Sequence, residues 1–174
     1  MTTITLPINN PFNFLLFQSF PLPIKNINNN IVNLYSNSIH PIKKKYDYES
    51  ILNFTTSICN QFLFLQSHNL NIIGFNIDDI LIIDDTYCIF IDPNKLYKTN
   101  TKIFLPPPNY FFRNFQNNIL PFHVSNDDTN FIIGIFINFL FEKKITNVPS
   151  NKILNTKLYF FIVHAIKYNI LLLI

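Results

Sequence analysis

The sequence predicts a single, mainly α domain of the α+β type with one short β-hairpin, on three observations. Apolar residues recur at Ile51, Phe54, Ile58, Phe62 and Leu65, which is helical spacing along one face. Two later apolar runs, 131–141 and 159–174, have the length of core helices. Between them, Ile80-Leu81-Ile82-Ile83 and Cys88-Ile89-Phe90-Ile91 flank the turn Asp84-Asp85-Thr86, the pattern of two buried strands joined tightly. At 174 residues and 48% hydrophobic, the chain is long enough for one real core and too apolar for disorder.

In chain order, residues 1–48 are rich in Pro and Asn and carry no sustained periodicity, so they are expected to be an irregular, helix-poor cap over the apolar top of the rest. The stretch 26–33 reads as an asparagine-rich loop. The first core helix is expected over 49–68, followed by an extended lead-in, Asn69-Leu70-Asn71-Ile72-Ile73. Asp78, Asp79, Asp84 and Asp85 fall at turns, where a carboxylate readily accepts nearby backbone amides; for Asp84 and Asp85 this is the reading adopted. A second helix starts near Asn126 with Asp127 or Asp128 as its N-cap, and Gly134 within it permits close helix packing. The last helix is expected over 157–166, which makes 49–174 one domain preceded by the segment 1–48.

An apolar helix ending at a histidine, a loop, a strand pair and an aspartate after the pair form a set that resembles the protein-kinase catalytic core. The loop Ile72-Ile73-Gly74-Phe75-Asn76-Ile77-Asp78-Asp79-Ile80 and the late run Thr156-Lys157-Leu158-Tyr159-Phe160-Phe161 are similar to a degenerate kinase-like group encoded by large DNA viruses. The resemblance covers residues 49–174 and implies a kinase C-lobe-like helical domain with its N-lobe absent or severely reduced. It places the magnesium aspartate at Asp92 and the second metal ligand at Asp79. The catalytic base falls on Gly74, or on Asn76 with a shifted alignment, and neither can accept a proton usefully. The Asp92-Pro93-Asn94 turn lacks the glycine expected two residues after the aspartate, and proline fixes the backbone there.

Further departures point the same way. The segment 104–109 resembles the Ser-Pro-Glu segment that closes a kinase activation loop, without its glutamate, and the arginine that would pair with that glutamate is missing after the last helix. Losing both is less costly than burying one unpaired charge. No glycine precedes residue 70, and Lys25, the one stand-in for the phosphate-binding lysine, sits beside Pro21 and Pro23.

The implied function is therefore a catalytically inactive pseudokinase that acts as a binding or scaffold module for a protein partner, with no cofactor expected. Two alternatives stand beside it: a structural or accessory protein of a virus particle, and a residual phosphotransferase using magnesium and ATP through Asp79 and Asp92. Asn at 27 and Ile at 29 residues, with 12 Lys against one Arg, is the usage that AT-rich codons impose and fits such a viral source.

Composition excludes several other classes. A net charge of +3 with a single arginine argues against a dedicated nucleic-acid surface, and Lys43-Lys44-Lys45 reads as a solvated loop. Cys59 and Cys88 are expected as free buried thiols, and His40, His68, His123 and His164 show no metal-ligand spacing. Pro7, Asn9, Asn10 and Pro11 interrupt any leader-like apolar block, so a cytoplasmic location is expected, the host cytoplasm or the virion for a viral protein. No transmembrane span is expected, although Ile170-Leu171-Leu172-Leu173-Ile174 offers an apolar contact.

Overall fold

The computed structural model describes residues 2–7, 11–21, 25–28, 31–42, 45–105, 108–114 and 119–167. The chain runs β1 (Thr2–Pro7), α1 (Pro11–Gln18), β2 (Lys25–Asn28), β3 (Ile31–Ser36), β4 (Ile39–His40), α2 (Tyr48–Ser67), β5 (Leu70–Ile72) and β6 (Gly74–Phe75). It continues through β7 (Ile80–Ile83), β8 (Tyr87–Phe90), β9 (Leu96–Lys98), β10 (Lys102–Ile103), β11 (Phe112–Arg113), β12 (Phe122–His123), α3 (Asn126–Glu142) and α4 (Lys157–Lys167).

This architecture corrects the expected fold. Instead of a mainly α, kinase C-lobe-like domain with one hairpin, the described residues form an α+β structure of four helices and five small antiparallel sheets. The sheets have the orders β1-β3-β2, β4-β7-β8, β5-β9, β6-β11 and β10-β12. Residues 1–48, expected to be irregular, hold β1 to β4 and α1. The reason for the miss is physical: seven strands are only two or three residues long, too short for a period-two pattern to register, and their partners lie far along the chain.

The helices follow the residue pattern closely. In α2 the stripe Ile51, Phe54, Ile58, Phe62 and Leu65 is buried as its spacing demands, and Asp47 caps the first turn by accepting the Ser50 amide at 2.7 Å. α3 is capped by Ser125, not by Asp127 or Asp128. Asp128 sits three residues in and closes a reciprocal box, accepting the Ser125 amide at 2.9 Å while Ser125 Oγ accepts the Asp128 amide. Gly134 lets α4 approach, since a Cβ there would lie 2.7 Å from the Ala165 Cβ.

Two devices join sheet to helix. β8 is an outer strand of its sheet, and α2 satisfies its edge with side chains one turn apart. Gln61, fully buried, donates to the Phe90 carbonyl and accepts the Phe90 amide, both at 2.8 Å, while Ser57 Oγ accepts the Cys88 amide at 2.8 Å. The β7–β8 turn places Asp84 and Asp85 at φ 53° and 50°, a left-handed pair that aspartate tolerates. Asp84 Oδ1 accepts the amides of Asn37 and Ser38, and Asp85 meets His40 Nε2 at 2.8 Å, so the turn anchors the N-terminal strands.

One core unites these parts. Leu16, Phe17 and Leu34 from the first 48 residues join the helix stripes and the hairpin, around a group of rings made by Phe75, Phe90, Phe112 and Phe136.

Candidate functional site

Leaving β8, the chain makes a 3-10 turn over Pro93–Lys95, which Asp92 caps by accepting the Asn94 amide at 3.0 Å. Proline presets the backbone of this turn, and its end aims the Lys95 side chain back toward the 3-10 turn Ile77–Asp79 that precedes β7. The Ile91 amide bonds the Asp79 carbonyl at 2.9 Å and holds the two turns side by side.

The structure therefore brings Asp79 and Asp92 together, and it brings Lys95 with them. The Lys95 ammonium donates to Asp79 Oδ2 in a short, direct contact and lies 3.4 Å from Asp92 Oδ2. Asp79 and Lys95 keep little exposure, at 11% and 12% of their side-chain surface, against 26% for Asp92. Asp79 Oδ2 also accepts the Asn76 amide at 2.5 Å. Two carboxylates and one ammonium leave a single negative charge, and it rests on the side that meets water.

Gly74 and Asn76 complete the surroundings without supplying a base. Gly74 pairs with Arg113 across β6 and β11, and Tyr110 packs so closely that a Cβ on Gly74 would lie 2.4 Å from the Tyr110 ring and 2.8 Å from the Phe112 carbonyl oxygen. No aspartate side chain fits there without rebuilding the segment. Asn76 spends its side-chain oxygen on the Phe111 amide at 2.9 Å. The Tyr110 ring also carries the Lys95 ammonium at 5.1 Å from its centre. Burial, a neighbouring Tyr97 and the carboxylates of Asp92 and Asp79 push the Tyr110 phenol up to about 12, so it stays protonated at neutral pH.

In this arrangement Lys95 does for the carboxylates what a divalent cation would otherwise do. A hard cation wants about six oxygen ligands. Here it would find Asp79, Asp92 and an asparagine oxygen already committed to a backbone amide, with an ammonium to displace first. Among the described residues no group of three or more His, Cys, Asp or Glu is placed to hold a metal ion.

Lys95 and Tyr110 are the residues that sequence reasoning missed. Lys95 carried a usable signal, since it follows Asp92 by three residues across a proline-started turn, a spacing that brings side chains together. Tyr110 carried none, because its approach to Gly74 depends on the β6–β11 pairing.

Elsewhere, α2, α3 and α4 border a mostly apolar concavity of about 190 Å³, lined by Cys59, Phe62, Leu63, Ile133 and Phe161 among others. Burial pushes the Cys59 thiol up to about 11 and raises Cys88 further. No described helix is long and apolar enough to cross a membrane. No family model matches the chain, and no curated protein matches it.

Proposed function

We propose that this chain is a non-catalytic binding module, a pseudokinase in its loop motifs, in which the residues of a former metal site hold two turns together. The observation that carries the reading is the Lys95 ammonium between Asp79 and Asp92. It offsets one of the two carboxylate charges from within and gives the loop a structural role. The close packing of Tyr110 against Gly74 supports the same reading, since it leaves no room for a base where the resemblance would put one. The kinase likeness enters through these loop residues alone, and the action of the module is on a protein partner.

A thermal-shift titration of the full chain with ATP, with and without magnesium or manganese, tests the proposal. The expected result is no metal-dependent shift. One-site binding at a hundred times the dissociation constant stabilises a fold by roughly 2.7 kcal/mol, which is several degrees here. A magnesium-dependent shift of that size, abolished by Asp92→Ala, would overturn the proposal and restore a nucleotide site.

A further inference from the structure

The end of α3 and the approach to α2 border an open concavity of about 390 Å³, on whose walls lie Lys45, Tyr46, Tyr48, Glu142, Lys143 and Lys152. Its charge is out of balance. Lys143, the C-cap of α3, takes a left-handed backbone at φ 57°, and its ammonium lies 5.3 Å from the Tyr46 ring centre and 5.9 Å from that of Phe139. No carboxylate of the described residues comes within ion-pair distance of it. Glu142 is the one acid among the described residues on the wall, and it is already engaged by the Ser150 hydroxyl at 2.5 Å and by Lys152 at 3.6 Å. Lys152 spends a second donor on the Phe141 carbonyl at 2.8 Å. Burial, and then the nearby charge of Lys152, hold the Lys143 ammonium below the ordinary lysine range, as expected for a cation kept near another cation without a counter-ion.

We propose that this pocket is an anion site for a phosphate-type group, free or as a phosphomonoester, in which Lys143 supplies the unpaired charge, Lys45 adds a second at the rim, and Lys152 stays paired with Glu142. Three lysines against one glutamate leave two positive charges on the wall, which a tetrahedral dianion balances, and lysines serve such groups as point charges without demanding a planar partner. The cavity has room for a phosphate together with part of the molecule that carries it, against the walls of Tyr46 and Tyr48. Glu142 opposes the anion, but its charge is committed to Lys152 and Ser150. The site is separate from the Asp79–Lys95–Asp92 cluster and does not depend on the function proposed for it.

The test is a thermal-shift titration of the full chain with inorganic phosphate and with phenyl phosphate, each against sodium chloride at matched ionic strength so that general screening cancels. The expected result is a saturable rise of roughly 3 to 6 °C at ten times the dissociation constant, lost in Lys143→Met and kept in Lys98→Met. Tighter binding of phenyl phosphate assigns an organic phosphomonoester, and equal binding assigns the free anion. No rise beyond chloride, or a rise unchanged in Lys143→Met, overturns the site. Should Lys143→Met fail to fold, phosphorus NMR of the wild-type chain decides: the phosphate line broadens on adding protein and sharpens on competition by phenyl phosphate, or the site is absent.

Discussion

The Asp79–Lys95–Asp92 cluster and the Lys143–Lys152 pocket handle charge in opposite ways. In the first, an ammonium meets two carboxylates, Asp79 nearly out of water and Asp92 partly in it, across the turn that starts at Pro93. In the second, two ammonium groups share a cavity with one carboxylate that is already in use. Charge that is mostly met internally is part of the scaffold: Lys95 offsets one of the two carboxylates, and the remaining negative charge faces water at Asp92. Charge that the chain leaves unbalanced is where an outside partner gains most. By that measure, the residues with the more suggestive sequence are the less suited to bind anything.

The largest expected effect tests the balanced side. Lys95→Ala strands Asp79 out of water, and urea unfolding should show a loss of about 3 to 5 kcal/mol, with part of it recovered when Asp79→Asn is added. A loss below about 1 kcal/mol would place the pair among ordinary surface ion pairs and dissolve the contrast. Next in size, Gly74→Ala should cost about 1 to 3 kcal/mol by overpacking against Tyr110 and the Phe112 carbonyl, and Tyr110→Ala should relieve only the ring's share in the double variant, since the Cβ at 2.9 Å and the carbonyl oxygen at 2.8 Å remain.

The unbalanced side should respond weakly in stability and clearly in pH dependence. Lys143→Met should stay within about 0.5 kcal/mol of wild type at pH 7. A depressed lysine favours the neutral form in the fold, so its contribution to stability is reduced at low pH and regained as pH rises toward the ordinary value of 10.5. The stability of wild type relative to Lys143→Met should therefore climb over that approach, and a flat difference would show that Lys143 is fully solvated. Smallest of all, Glu142 is held below its ordinary 4.5, first by the Ser150 hydroxyl. Wild type should lose stability relative to Glu142→Gln as pH falls below about 4.5, while Glu142→Gln tightens phosphate binding by removing the opposing charge.

Much of the helical layer was legible in the residues. Ile51 to Leu65 and the Asn126 start mark α2 and α3 because a buried stripe on a long element repeats often enough to be seen. The hairpin was legible for the same reason in miniature, since Ile80–Ile83 and its partner strand are continuous apolar runs around an aspartate turn. The fold class was not legible. Pairings such as Lys102 with His123 or Phe112 with Phe75 use two residues each and join segments about 20 to 40 apart, so no local pattern announces them. Polar residues also carried roles that no sequence pattern shows: Gln61 and Asn71 are fully buried, one against Phe90 and the other bonded to Thr99, Asn126 and Thr129. At the candidate site, Asp79 and Asp92 stood out by motif, while the lysine between them became visible only once the two turns lay side by side.

The stitching of α2 to β8 has a consequence for how this chain behaves in company. A sequence carrying 27 Asn and 29 Ile has the makings of cross-β fibres, whose growth needs an open strand edge as a template. The amide of Gln61 presents to Phe90 the same donor and acceptor that an incoming strand would present, and Ser57 occupies the position one step along. Strand addition at that edge of the hairpin is thereby blocked by a helix of the same chain, with Gln61 and Ser57 holding the groups that an incoming strand would need.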